Sequence, residues 1–213
     1  MARIETCSLT FDDGPDPTWT TRLLDCLHRE GVRCTFFVIA GRASSHPALI
    51  ARMLTEGHEV AFHCVRHVRH SEISEPALRR DTEQGLRTLA GLGASPRRWR
   101  APWGVITSAT RSLAALRELE LVGWSADTED WRGDPAAQMH ARVQERIAPG
   151  AVVLMHDGLG PGARRSGCHE TLELVPRLLD TVRRRGLRAT PLASGDGSER
   201  SVQRPLRNPE HVG

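Results

Sequence analysis

Short apolar runs enriched in β-branched and aromatic residues alternate along this chain with longer amphipathic stretches. The runs lie near Ser8 to Phe11, Arg33 to Ile39, Glu59 to Phe62, Arg98 to Arg100, Leu121 to Ser125, Ala151 to Met155 and Leu187 to Thr190. Their length and composition predict seven strands. Between them, Thr18 to Arg29, Pro47 to Glu56, Glu75 to Leu92, Thr107 to Leu119, Pro135 to Ile147 and Cys168 to Arg185 carry apolar residues at helical spacing. Ser74 before Glu75-Pro76 and Asp134 before Pro135 read as helix starts, each an N-cap residue beside an early proline. Strands and helices taking turns predict an α/β domain with a parallel sheet and helices outside, either an open doubly wound sheet or a barrel. The barrel is the expectation. From Ala193 onward Gly, Ser, Arg, Pro and Asn dominate, so residues 1–193 are read as a single domain and 194–213 as a loose polar tail.

The polar residues fall at one end of these strands. Asp12 and Asp13 close the first strand and are followed at once by the turn-forming Gly14-Pro15. His63 and His67 follow the third strand, Arg100 and Pro102 the fourth, Asp127 and Asp130 the fifth, and His156 with Asp157 the sixth. In a βα barrel the carboxyl ends of all strands share one face, where such residues converge on a single pocket. The spacing of His63 and His67 puts them on one face of a helical turn. With a single carboxylate they form a metal site with open positions, leaving one aspartate over as a base. A non-haem Fe(II) oxygenase uses the same triad and stands as a rival of another class.

Composition narrows the field. The 29 basic and 26 acidic residues leave a net charge of only +3, and Arg183-Arg184-Arg185 is short enough to be a solvated face. Tyrosine is absent and aromatic residues are sparse, so the stacking platforms of single-stranded nucleic-acid binders are missing. The five cysteines form no Cys-x-x-Cys pair and are odd in number, which argues against a disulfide framework. A chain that enters its first strand after Met1-Ala2-Arg3, with no membrane-length apolar run, is expected in the cytoplasm, with no membrane partner.

Five segments taken in order resemble the signature motifs of polysaccharide deacetylases, the NodB-homology enzymes of carbohydrate esterase family 4. They are Thr10-Phe11-Asp12-Asp13-Gly14-Pro15, His63-Cys64-Val65-Arg66-His67, Arg100-Ala101-Pro102-Trp103-Gly104, Asp127-Thr128-Glu129-Asp130-Trp131 and Val153-Leu154-Met155-His156-Asp157. The resemblance runs from about Cys7 to Leu192 and implies a distorted (β/α)7 barrel.

It also implies roles. Asp13, His63 and His67 would hold a divalent metal, zinc foremost, with cobalt, nickel or iron as alternatives. Asp12 would be the general base, paired with Arg100, and His156 the general acid, supported by Asp130. The Trp103 backbone N–H would meet the oxyanion and its ring a sugar face, while Leu154 would line the acetyl pocket. The implied activity is removal of an acetyl group from an N-acetylated amino sugar, expected here to be a small intracellular glycan or glycoside. An O-acetyl esterase and a metal-binding module without catalysis are the remaining alternatives.

Three departures stand out. Cys64 replaces the usual Ser or Thr after the first metal histidine, which makes it a candidate soft ligand or oxidation site. Ala101 and Trp103 stand where a bulkier residue and Tyr are usual. Two further readings are open: His70 as a substitute ligand, and Arg164 with Arg165 as an anion-binding lip beside His156, against a plain solvated loop.

Overall fold

The structure, a computed structural model, describes residues 5–192, so the expected tail over 194–213 lies outside the described residues. Eight short strands form one parallel sheet: β1 (Thr6–Asp12), β2 (Thr35–Ile39), β3 (Glu59–Cys64), β4 (Arg98–Trp99), β5 (Glu120–Leu121), β6 (Ala126–Asp127), β7 (Val152–His156) and β8 (Arg188–Ala189). Their order is β5-β4-β3-β2-β1-β7-β6, with β8 pairing the start of β1. The sheet curls into the expected barrel, its two ends being β5 and β6. The single expected strand over Leu121 to Ser125 is instead these two end strands, separated by the segment 122–125.

Among the described residues, seven α-helices connect the strands: α1 (Trp19–Glu30), α2 (Ala40–Ser45), α3 (Pro47–Thr55), α4 (Glu75–Gly91), α5 (Ser108–Leu116), α6 (Ala136–Val143) and α7 (His169–Arg184). Only α2 lacks a counterpart in the sequence pattern. Ser74 is the N-cap of α4 but makes no side-chain cap, with Pro76 in the first turn; at α6 the N-cap is Pro135 itself, one residue after the expected Asp134. Asp134 is drawn away to Arg142 at 2.5 Å. Among the described residues, the one capping box is Thr107 with Thr110 at the start of α5. No described helix is long and apolar enough to cross a membrane.

Strand β1 explains how one sheet both folds and carries chemistry. Its residues alternate, so Cys7, Leu9 and Phe11 face one side and Ser8, Thr10 and Asp12 the other. The first set joins the apolar core with Phe36, Val38, Phe62, Val153 and Met155, beneath helix residues such as Leu24, Leu27, Leu174 and Leu178. Burying a side chain of that kind contributes roughly 1.5–3 kcal/mol, so the outer face holds the fold together. The inner face is thereby released to carry polar groups.

Candidate active site

The inner face ends in the candidate residues. Asp12 is in register with His156 of β7 on one side and Phe37 of β2 on the other. Parallel strands lie about 4.8 Å apart, so the first acid and the last histidine are lateral neighbours although far apart in sequence. Leu154 stands two residues below His156 on the same face, in register with Thr10.

Asp13 follows with φ of 72°, a left-handed backbone that swings its carboxylate away from that of Asp12. Its Oδ1 lies 3.4 Å from His63 Nε2 and 3.2 Å from His67 Nε2. The two histidines do not share a helical turn. His63 is in β3, where the pairing skips from Val38 opposite Phe62 to Ile39 opposite Cys64. This bulge leaves His63 as the extra residue, a device that re-aims a side chain at a functional rim. His67 lies in the loop beyond, and the chain turn brings the two ring centroids to 5.0 Å.

A divalent cation fits this donor set. One ligand atom each from Asp13, His63 and His67 lies within 4.8 Å of the others. Asp13 Oδ1 is buried without an aligned donor, a costly state unless something positive completes it. His63 donates its Nδ1–H to the Arg100 carbonyl at 2.6 Å, which leaves the Nε2 lone pair for the cluster. Burial alone would raise the Asp13 carboxyl, yet the two imidazoles hold it well below the usual carboxylate range. The same pairing lifts His63 against the pull of its own burial.

Asp12 and Asp130 each have a cationic partner. Arg100, 1% exposed, donates from Nη1 to Asp12 Oδ1 at 2.7 Å and to Thr10 Oγ1 at 2.8 Å. Its Nη2 reaches the Gly123 carbonyl at 2.9 Å, and its guanidinium lies 4.1 Å from the Phe37 ring centre. Asp130, fully buried, accepts from His156 Nδ1 at 2.7 Å. Burial pulls the His156 imidazole down, but the ionised Asp130, with Asp13 and Asp12 behind it, pushes it up to about 9. Burial likewise raises Asp130, but His156, Arg165 and Thr171 hold it at about 2. Asp157 is different: burial pushes it up to about 7, so this carboxyl adds little negative charge to the rim below neutral pH.

Several open readings close here. His70 is no ligand; its Nδ1 meets Thr110 Oγ1 at 2.9 Å and burial pulls it down to about 4. Cys64 stands outside the cluster, buried, its thiol pushed well above its usual range by that burial. The loop that follows it is gripped by Asp81 of α4, which accepts the N–H groups of Val65 at 2.9 Å and Arg66 at 3.0 Å. Asp127 accepts from the Glu129 N–H at 2.9 Å within its turn. Arg164 is exposed, as a solvated loop predicts, with its guanidinium 5.6 Å from the Trp131 ring centre. The Arg165 side chain is buried and ion-paired, which removes it from any anion-binding lip. Trp103 stands half-buried at φ of 52°, its ring edge-on to His67 at 4.1 Å and beneath Arg69 at 4.7 Å.

Sequence reasoning gave no role to Thr10, Asp81, Thr171 or Gly160, and gave Arg165 a different one. At Gly160 a Cβ would stand 2.1 Å from Asp13 Oδ2, so only glycine fits, where the sequence showed no more than a glycine-rich segment.

The sequence profile of the polysaccharide deacetylase family matches residues 2–122. The chitooligosaccharide deacetylase of Bradyrhizobium sp. is 37% identical over 191 residues, which cover 86% of this chain and 87% of that one. This chain belongs to the polysaccharide deacetylase family. A second family relative, the chitooligosaccharide deacetylase of Sinorhizobium fredii, is 35% identical over 84% of this chain and 86% of its own. Among solved structures, the family 4 carbohydrate esterase from Streptomyces lividans in complex with acetate superposes with a TM-score of 0.79 and 29% identity, over 87% of this chain and 91% of that one. The deacetylase relationship makes the chain a hydrolase and sets aside the oxygenase alternative.

Proposed function

We propose that this protein hydrolyses the acetamido group of an N-acetylated amino sugar, releasing acetate and a free amine, with chitin-type oligosaccharides as the substrate class. What supports this is Asp12 and His156 standing in register beside the Asp13–His63–His67 cluster, each held by its own counter-charge. The relatives named as chitooligosaccharide deacetylases agree with it. Asp13, His63 and His67 hold the cation, for which zinc suits one carboxylate and two imidazoles. When bound, it polarises the amide carbonyl and acidifies water.

The chain's own groups move the protons. Asp12, oriented by Arg100, accepts a proton from the attacking water as the C–O bond forms. The backbone N–H of Trp103 receives the developing oxyanion. His156 gives its proton to the departing nitrogen as the C–N bond breaks, and Asp130 stabilises the imidazolium beforehand. Leu154 forms the apolar floor for the methyl group. The five cysteines, all free and buried, support a reducing compartment.

Acetate release tests the reading directly. Zinc-loaded protein is expected to liberate acetate from soluble chitin oligosaccharides, and release confined to O-acetylated xylan would overturn N-deacetylation. The kcat profile carries a second test. The acid must be protonated, so activity persists below the His156 pKa and falls as pH rises through it. That pKa is about 9 in the metal-free chain, and a nearby dication draws the limb lower. Asp130→Asn removes the supporting charge and is expected to move the limb further down; an unmoved limb would reassign the acid.

A further inference from the structure

The loop between β7 and α7 holds an arginine that the chemistry above leaves unused. Arg165 carries a side chain only 4% exposed, in a segment rich in glycine. Its Nη1 donates to Asp130 Oδ2 at 2.9 Å and to Thr171 Oγ1 at 2.5 Å. Its Nη2 donates to the His156 carbonyl at 3.1 Å. The same loop is pinned to the turn that carries Asp130: Arg164 donates its N–H to the Trp131 carbonyl at 2.8 Å. Gly133, at φ of +83°, leaves room there, since a Cβ would stand 3.3 Å from that of Arg165.

The two oxygens of Asp130 are therefore divided. Oδ2 accepts from Arg165, from the Thr171 hydroxyl at 2.7 Å and from the His156 backbone N–H at 3.0 Å. Oδ1 is left to the His156 ring. A carboxylate with three donors on one oxygen cannot rotate without breaking them, so the other oxygen holds a single aim.

We propose that Arg165 is a positioning residue, which fixes the Asp130 carboxylate and thereby the aim and acidity of His156. Charge balance gives the second half of the role. His156 faces the negative Asp130, Asp12, Asp13 and Asp127, and Arg165 is the cation bonded to the carboxylate it shares. Without that cation the imidazolium would be held more tightly and would surrender its proton less readily. Arginine suits the task because its planar fork spans Asp130 and the His156 carbonyl together, which a lysine ammonium cannot do.

This inference rests on His156 acting as the acid, so its test includes a readout independent of turnover. Histidine NMR titration of metal-free protein, with the His156 signal assigned through its loss in His156→Gln, is expected to show its pKa higher in Arg165→Met than in the parent. Kinetically, Arg165→Met is expected to lower kcat by about tenfold to a hundredfold, the scale for removing an outer partner of a working histidine, with KM nearly unchanged. Its alkaline limb should move up, and Arg165→Lys should recover only part of the loss. Should Arg165→Met fail to fold, Thr171→Val removes one donor from the same oxygen and is expected to lower kcat by a smaller factor, KM again constant. An unmoved His156 pKa alongside a merely lower melting temperature would make Arg165 structural and overturn the proposal. A rise in KM at constant kcat would overturn it in favour of a substrate contact. A parent protein without deacetylase activity, but with the expected NMR shift, would instead defeat the functional reading and leave the Arg165 linkage standing.

Discussion

Asp12→Asn is expected to lower kcat for acetate release by about two to four orders of magnitude, the contribution of a well-placed general base, while metal content stays at the parent level. The amide keeps the shape of the carboxylate and an oxygen for Arg100, but has no basic lone pair for a water proton. Stability should survive. Breaking a buried ion pair by removing one partner costs about 3–5 kcal/mol when the remaining charge is stranded. Arg100 is not stranded here, because Thr10 Oγ1 and the Gly123 carbonyl accept from it as well and Phe37 covers its face. The informative pair of measurements is steady-state kinetics with metal analysis of the same preparation. Undiminished acetate release would remove Asp12 from its role. Lost activity accompanied by lost metal would make Asp12 a ligand instead of a base.

Metal removal should have an effect as large, with a signature of its own. Chelation is expected to abolish acetate release, and zinc to restore it. Binding should also be visible without substrate. An ion at a hundred times its dissociation constant stabilises a folded chain by about 2.7 kcal/mol. For a domain of this size that corresponds to a rise in melting temperature of roughly 5–11 °C. His63→Ala removes one of three donors and should erase both the restored activity and the thermal shift. The shift should also shrink as pH falls, because protons compete with the cation for the two imidazoles. A full thermal shift in His63→Ala would place the ion at other residues.

The fold was legible because chemistry and packing use the same periodicity. The alternation Cys7-Ser8-Leu9-Thr10-Phe11-Asp12 states which face is core and which is site, and the parallel pairing then sets Asp12 beside His156. The barrel's open edge was less legible. The segment after Leu121 reads as one strand by composition, yet it splits into two-residue ends that do not pair with each other. The histidine pair was recognised by residue type and misassigned in geometry, since a spacing of four fits a helix as readily as a strand with a bulge and a loop. Periodicity carries no information on where a bulge falls. The outer partners were illegible for a different reason. Asp81 and Arg165 look like ordinary charged residues of a helix and a glycine-rich loop, and their roles exist only through contacts made across elements.

Everything in this account depends on one cation held jointly by Asp13, His63 and His67. The most direct measurement is anomalous diffraction at the zinc edge from crystals of the zinc-loaded protein. One peak per chain is expected, roughly 2.0–2.2 Å from an Asp13 carboxylate oxygen, His63 Nε2 and His67 Nε2. A zinc-loaded, active crystal whose only peak lies away from these three residues would contradict the account.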